Sequence, residues 1–167
     1  GRPGGARPCP RKTARPERGG LFRGPMTPSE RFVCDAKRPW LWVGATVIAD
    51  LDLEPRRCVW QHPAGASPVR TTFHEVPLAD RLSVRGGIDY SNERWRSGAP
   101  VTLRVWIDEE LAAELVHRDG DGWSGVDIDT SALGVERATV RFETTAPDST
   151  ARLFCWAAST WRRQADE

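Results

Sequence analysis

The stretch that decides the fold class is residues 101–108, which read VTLRVWID. Apolar and polar side chains alternate along it, so that one face of an extended chain is apolar and the other polar. The apolar face consists of Val101, Leu103, Val105 and Ile107. A period of two is typical of a β-strand that is buried on one side only.

Eight further stretches have strand-like composition, and Gly, Pro, Asp and Ser clusters separate many of them. They are residues 41–49, 57–61, 69–73, 81–90, 113–117, 125–129, 138–143 and 151–159. Asp108-Glu109-Glu110 is expected at a hairpin tip, and Ser131–Gly134 is expected to form one helical turn. About eight or nine short strands predict an all-β, antiparallel β-sandwich (jelly roll) over residues 30–163.

The first 25 residues differ in composition from the rest of the chain. They carry seven basic residues and one acidic residue, whereas the remainder carries a net charge of −5. Gly, Pro, Arg and Ala dominate this segment, and such a composition buries too little apolar surface to offset the entropy of ordering. We therefore expect residues 1–29 to be a disordered basic tail, and an acidic sandwich argues against a nucleic-acid partner.

The second half of the chain resembles a known class of domain. Residues 117–123 read HRDGDGW, and 126–133 read VDIDTSAL; strand-like segments follow at 138–143 (ATVRFE) and 153–157 (LFCWA). This order resembles the galactose-binding-like jelly rolls, the fold of many carbohydrate-binding modules. The resemblance covers roughly residues 57–160 and implies a sandwich fold, without assigning any ligand-contacting residue.

Four cysteines are spread along the chain, and none forms a Cys-x-x-Cys pair. Cys9 lies in the basic segment and is expected to be unpaired. A disulfide between Cys58 and Cys155 is favoured because both lie in aromatic-bearing strand segments; Cys34–Cys58 is the alternative, and buried free thiols are a third. A disulfide indicates an oxidising compartment.

The most suggestive stretch for ligand binding is residues 85–98, which combine two aromatic residues with Asp, Asn and Arg. Aromatic rings stack on the apolar faces of sugars, and the polar side chains hydrogen-bond to hydroxyl groups. The alternative is that Trp95 caps the sandwich within a solvated rim. The predicted ligand-binding residues are Asp89, Tyr90, Asn92, Arg94, Trp95 and Arg96.

Other catalytic or metal-binding patterns are weak. Asp119-Gly120-Asp121-Gly122 begins like a calcium loop, but the oxygen ligands required further along are missing, and a glycine-rich turn explains it better. The histidines, His62, His74 and His117, are far apart in sequence. We predict no catalytic residues, metal or cofactor.

Together these patterns predict a non-catalytic binding module of an exported or periplasmic protein, extracellular in location, with carbohydrate or a cell-surface glycan as its ligand. The alternative is a structural or protein-interaction sandwich with no small ligand. A neighbouring domain of a larger protein is a possible partner. No run of residues reaches the roughly 18 apolar positions of a membrane span.

Overall fold

The computed structural model describes Cys9, residues 11–13 and residues 30–163. These residues contain eleven strands, one short α-helix and one 3₁₀ turn. The strands are β1 (Arg11–Thr13), β2 (Glu30–Val33), β3 (Trp42–Ala49), β4 (Pro55–Gln61), β5 (Val69–Pro77), β6 (Arg81–Ile88), β7 (Val101–Ile107), β8 (Glu110–His117), β9 (Ser124–Asp129), β10 (Arg137–Thr145) and β11 (Phe154–Trp161). The helix α1 spans Tyr90–Glu93, and the 3₁₀ turn spans Ser131–Leu133.

The strands form two antiparallel sheets that pack as a sandwich, which confirms the predicted fold class. The larger sheet has seven strands in the order β1-β2-β3-β4-β11-β6-β9, and the smaller has four in the order β5-β10-β7-β8. Every strand pair is antiparallel. In the described part of the chain, no helix has the length and apolarity needed to cross a membrane.

The core between the sheets follows the alternation of the sequence. In β7, Val101, Leu103 and Val105 are fully buried, and Ile107 is nearly so, as the period of two predicted. Side chains from β6, β10 and β11 meet them from both sheets. These include Leu82, Val84, Ile88, Ala138, Val140, Phe142, Phe154 and Trp156.

One polar side chain, Gln61, lies buried between the sheets with all its hydrogen-bonding positions used. Its Nε2 group donates to the carbonyls of Val69 (2.8 Å) and Phe142 (3.1 Å) in the smaller sheet. Its Oε1 atom accepts from Thr71 Oγ1 at 2.7 Å and from Trp156 Nε1 at 3.1 Å. A buried amide lowers the stability of the fold when its hydrogen-bonding groups lack partners. Because all those of Gln61 have partners, this residue connects the two sheets without leaving an unsatisfied polar group.

A second, smaller core lies on the outer face of the seven-stranded sheet. Trp42 and Trp60 stack there with ring centroids 5.0 Å apart, beside Ile48 and the two cysteines of β4 and β11. Trp60 and Trp156 are both buried, but they belong to different cores on opposite faces of the sheet.

Both pairs of cysteines form disulfides. The predicted Cys58–Cys155 bond joins neighbouring strands β4 and β11. The expectation that Cys9 is unpaired is wrong, because Cys9 is bonded to Cys34. Spacing alone gave no sign of this pair, since Cys9 lies in a segment with no apolar pattern.

The first two strands were not expected from the sequence. Strand β1 lies inside the segment predicted as a tail and pairs with β2, which in turn pairs with β3. Apart from Cys9, the other residues of that segment lie outside the described part of the chain, so the predicted tail and the boundary at residue 30 stay predictions. Strands this short offer too few alternating positions to be recognised in a sequence.

Two predicted turns are confirmed. Asp108 and Glu109 form the two-residue hairpin between β7 and β8, and both have positive φ, at 44° and 71°. Positive φ at both positions matches the twist of the flanking strands. The 3₁₀ turn at Ser131–Leu133 ends at Gly134, which has a φ of 65°. By contrast, the predicted strand 81–90 ends at Ile88, and α1 follows it.

We expect the two disulfides to differ in their contribution to stability. Alanine replacement of both Cys58 and Cys155, 97 residues apart, should lower the free energy of unfolding by about 4 to 5 kcal/mol. Replacing Cys9 and Cys34, 25 residues apart, should cost about 3 to 4 kcal/mol, because a shorter loop restricts the unfolded chain less. Guanidinium denaturation of the two double variants measures both values. An equal or larger loss from the Cys9/Cys34 variant would contradict the expectation.

Candidate functional site

The segment singled out in the sequence forms α1 and the loop after it. Asp89 caps the helix, since its Oδ1 atom accepts from the backbone N–H (3.0 Å) and the hydroxyl of Ser91. The backbone N–H of Asp89 also donates to the carbonyl of Leu153 at 3.1 Å, which attaches α1 to the chain entering β11. Asp89 therefore holds α1 against the segment that leads into β11.

One side of this segment is an exposed aromatic patch. The guanidinium of Arg94 lies 5.5 Å from the ring centre of Tyr90 and 4.7 Å from that of Trp95. Trp95 is 67% exposed, so it does not cap the sandwich core. Arg96 has a positive φ of 53° and lies beside Gly120 in the β8–β9 loop. We name Tyr90, Arg94 and Trp95 the aromatic patch.

The same helix contributes to a cleft of about 530 Å³. Its apolar surface comes from Trp40, Ala151 and Leu153, and its polar surface from Ser91, Asn92 and residues of two other loops. The full lining is Arg38, Trp40, His62, Ser91, Asn92, Ser149, Thr150, Ala151 and Leu153. The six predicted site residues are thus divided: Asn92 lines the cleft, three form the aromatic patch, Asp89 caps α1 and Arg96 contacts a neighbouring loop.

Asn92 keeps its donor groups available in the cleft. Its Oδ1 atom accepts from the hydroxyl of Ser91 at 3.2 Å. Among the residues that the structure describes, its amide nitrogen donates to none. On the other side of the cleft, Arg38 is held by Asp35, with 2.8 Å between Nε and Oδ2, so this guanidinium is oriented while remaining half-exposed.

His62 lines the cleft as a neutral side chain. Its Nδ1 atom lies 2.7 Å from the carbonyl oxygen of Pro63. Because a carbonyl can only accept, Nδ1 carries the proton and Nε2 is left as an acceptor. Burial lowers the pKa of His62 to about 4; the bond to Pro63 opposes this shift, and the charges of Arg38 and Arg152 add to it.

A buried polar network holds the loops around α1 in place. Glu93, the last residue of α1, is fully buried; its Oε1 atom accepts from the N–H groups of Gly120 (3.1 Å) and Gly122 (2.9 Å). The Nε2 atom of His117, also fully buried, lies 3.2 Å from the same oxygen. These contacts fix the β8–β9 loop against the helix.

The carboxylates of the suspected calcium loop belong to a second part of this network. Asp119 accepts from Arg152 Nη1 at 2.6 Å and from the backbone N–H of Gly98 at 2.8 Å, and Asp121 accepts from the N–H of Arg118 at 2.8 Å. Across Cys9, residues 11–13 and residues 30–163, no three His, Cys, Asp or Glu side chains cluster in a way that fits a metal ion. Asp119 and Arg152 instead connect the loops on either side of α1.

Several cleft residues were not recognised from the sequence. No sequence pattern assigned Trp40 to a ligand site, and His62 was only one of three histidines far apart in sequence. The residues that meet in the cleft come from separate loops at 38–40, 62, 91–92 and 149–153. Nothing in a single sequence indicates that these loops converge.

Comparisons with known proteins give structural neighbours only. No protein-family model and no curated protein matches the chain. Among solved structures, the chain is similar to that of CBM51-2 in complex with GlcNAc and INT domains from Clostridium perfringens ZmpB. The sequence identity is 17% and the TM-score is 0.46. The match covers 66% of this chain and 23% of that one. CBM51 of Clostridium perfringens GH95 in complex with methyl-galactose gives 10% identity, a TM-score of 0.45, and coverage of 68% and 77%.

A third structure, of CBM51-2 and INT domains from ZmpB, gives 15% identity, a TM-score of 0.42, and coverage of 70% of this chain and 26% of that one. The chain therefore spans about a quarter of the length of the two ZmpB structures. All three contain carbohydrate-binding modules, the class that the sequence resembles.

The depressed pKa of His62 predicts a pH-dependent stability. The folded-state pKa of about 4 lies below the ordinary value of 6.5, so the unfolded chain takes up the proton first as the pH falls. The free energy of unfolding should therefore decrease as the pH falls from 6.5 towards 4, by up to about 3 kcal/mol from this group. Urea denaturation of wild type and His62→Gln across this range isolates the effect. An identical pH dependence in the two proteins would show that His62 does not cause it.

Proposed function

We propose that the chain is a non-catalytic carbohydrate-binding module, and that the sugar occupies the cleft beside α1. The observation that carries the proposal is the composition of this cleft. Trp40 and Leu153 offer apolar surface, while Asn92, His62 and Arg38 offer hydrogen-bond donors and an acceptor around it. Sugars present apolar C–H faces and a rim of hydroxyl groups that match such a surface.

The aromatic patch is proposed to extend the site outside the cleft. α1 carries residues of both, and the backbone N–H of Trp95 donates to the carbonyl of Asn92 at 3.2 Å. Trp95 is exposed and held against Arg94, so little side-chain freedom is lost when a ring of a longer glycan stacks on it. The predicted ligand-binding set is therefore retained as a proposal, with Trp40 and His62 added to it.

The chemistry of the cleft favours binding without catalysis. Hydrolysis of a glycosidic bond ordinarily uses two carboxyl groups across the substrate. Among the described residues that line the cleft, none is Asp or Glu. His62, with a pKa of about 4, is a weak base at neutral pH.

We further propose that the module acts outside the cytoplasm, in an exported or periplasmic protein and alongside another domain. Two disulfides within one sandwich support an oxidising compartment.

A glycan array probed with the whole 167-residue chain tests the proposal. The wild type should bind a defined set of glycans, and Asn92→Ala should weaken binding about tenfold or more, the equivalent of about 1.4 kcal/mol. Asn92 makes only local contacts, so this variant should remain folded. Trp95→Ala should weaken binding to longer glycans more than to monosaccharides.

Trp161→Ala is the matched control, because Trp161 is a 53% exposed tryptophan at the end of β11 and does not line the cleft. This variant should bind as the wild type does. Folded wild-type protein that binds no glycan would overturn the proposal and favour a structural or protein-interaction module. Equal binding by Asn92→Ala would remove the cleft from the proposed site.

A further inference from the structure

A second cavity lies between the two sheets, where β3, β4, β6 and β11 of the larger sheet and β5 and β10 of the smaller one line it. The larger sheet is three strands wider than the smaller one, which ends at β5. At one end of β3 and β4, Val43 and Val59 pack with Val69 of β5, whereas at the other end Ala45 and Arg57 line an open cavity. Phe73 of β5 lines this cavity and is 41% exposed, and Val47, the register partner of Arg57 in β3, is 38% exposed. We call the resulting cavity of about 560 Å³ the inter-sheet groove.

The walls of the inter-sheet groove are apolar, and three aromatic rings pack against one another in them. Phe142 and Trp156 stack with centroids 3.8 Å apart, and Phe73 meets both rings edge-on at 6.0 Å and 6.2 Å. Val59, Val76, Leu82, Val140 and Ala158 add aliphatic surface. A cavity of this size and composition is typical of a small-ligand site.

An irregularity in β5 shapes one wall. Val76 pairs with Ala138 and Phe73 pairs with Val140, so β5 has one residue more than β10 between these pairs. The bulge contains Glu75, with a φ of 54°. Because of the extra residue, Phe73 and Val76 both reach the groove, although in a regular strand residues three apart face opposite ways.

Among the described residues that line the groove, Arg57 of β4 is the one with a charged side chain. Arg57 alternates with Cys58, which faces the outer core, so Arg57 is on the inward side and pairs in register with Val47. Its neighbour Arg56 is bound to Asp50 at 2.6 Å, whereas Arg57 has no ion pair or hydrogen bond within the described residues. Thr160, which pairs in register with the inward-facing Leu82, lies on the same lining.

We propose that the inter-sheet groove binds a single-chain anionic amphiphile, a free fatty carboxylate. The alkyl chain would lie along Phe73, Phe142 and Trp156, and the carboxylate would bind Arg57 at the open side. An apolar cavity with one unpaired cation selects a ligand with an apolar body and one negative end. An added peptide strand fits less well, because the bulge and Pro77 interrupt the regular hydrogen-bonding edge of β5.

Isothermal titration calorimetry with dodecanoate, below its critical micelle concentration, tests the proposal on the whole chain. Dodecanoate should bind with one-to-one stoichiometry. Octanoate should bind at least tenfold more weakly, because each buried methylene group strengthens binding up to about fourfold. Dodecyltrimethylammonium has the same chain length and the opposite charge, and it should bind at least tenfold more weakly than dodecanoate.

Two variants separate the roles of charge and space. Arg57→Glu should reverse the preference between dodecanoate and dodecyltrimethylammonium. Ala158→Leu places extra side-chain volume at an exposed position of the lining, so it should weaken both ligands without disturbing the core. Arg118→Ala, which removes an exposed arginine of the β8–β9 loop, is the control and should leave binding unchanged. Circular dichroism and thermal melts establish that each variant is folded.

Absence of saturable dodecanoate binding by the folded wild type would overturn the proposal. Binding that is equally strong for Arg57→Glu, or equally strong for the cationic amphiphile, would also overturn it, since the arginine would then not recognise the ligand. The Asn92→Ala variant of the carbohydrate cleft should bind dodecanoate normally, because the two cavities share no lining residue.

Discussion

The side-chain amide of Gln61 is buried between the two sheets and forms hydrogen bonds to residues of both. It takes two hydrogen bonds from one β5 hydroxyl and one β11 indole, and it gives two to carbonyls of β5 and β10. Such a residue fixes the relative position of the sheets more sharply than apolar contacts, because hydrogen bonds are directional and the low dielectric constant of the core penalises each lost partner. The inter-sheet groove depends on that position, because strands of both sheets line it.

The sequence predicted those parts of the molecule that depend on local alternation. Residues 101–107 are buried at every second position because one face of β7 packs against the other sheet. The apolar residues of the sequence alternate with the same period of two, so this burial could be predicted. The pairing of Cys58 with Cys155 was predicted for a similar reason, since both cysteines lie in strands with aromatic neighbours. By contrast, the Cys9–Cys34 bond and the β1–β2 pair depend on contacts between segments without any periodic pattern.

The candidate site shows the same division. Tyr90, Arg94 and Trp95 form one patch because they lie close together in sequence, in α1 and directly after it, so residue types within a short window sufficed to find them. Trp40, His62 and Thr150 reach the cleft from loops that are distant in sequence. Their convergence follows from the order of strands in the larger sheet, which no single stretch of the chain encodes. The network of Glu93, His117, Asp119 and Arg152 was missed for this reason, although two of its members had been noticed individually.

The bulge in β5 has a consequence beyond the shape of the groove. β5 is the outermost strand of its sheet, and a long, regular edge strand offers unpaired peptide groups to any other strand that meets it. The left-handed residue Glu75, the extra residue beside it and the terminal Pro77 interrupt that row of peptide groups. β5 is thereby a poor template for pairing with the edge strand of another sheet, at the same edge where the inter-sheet groove is open.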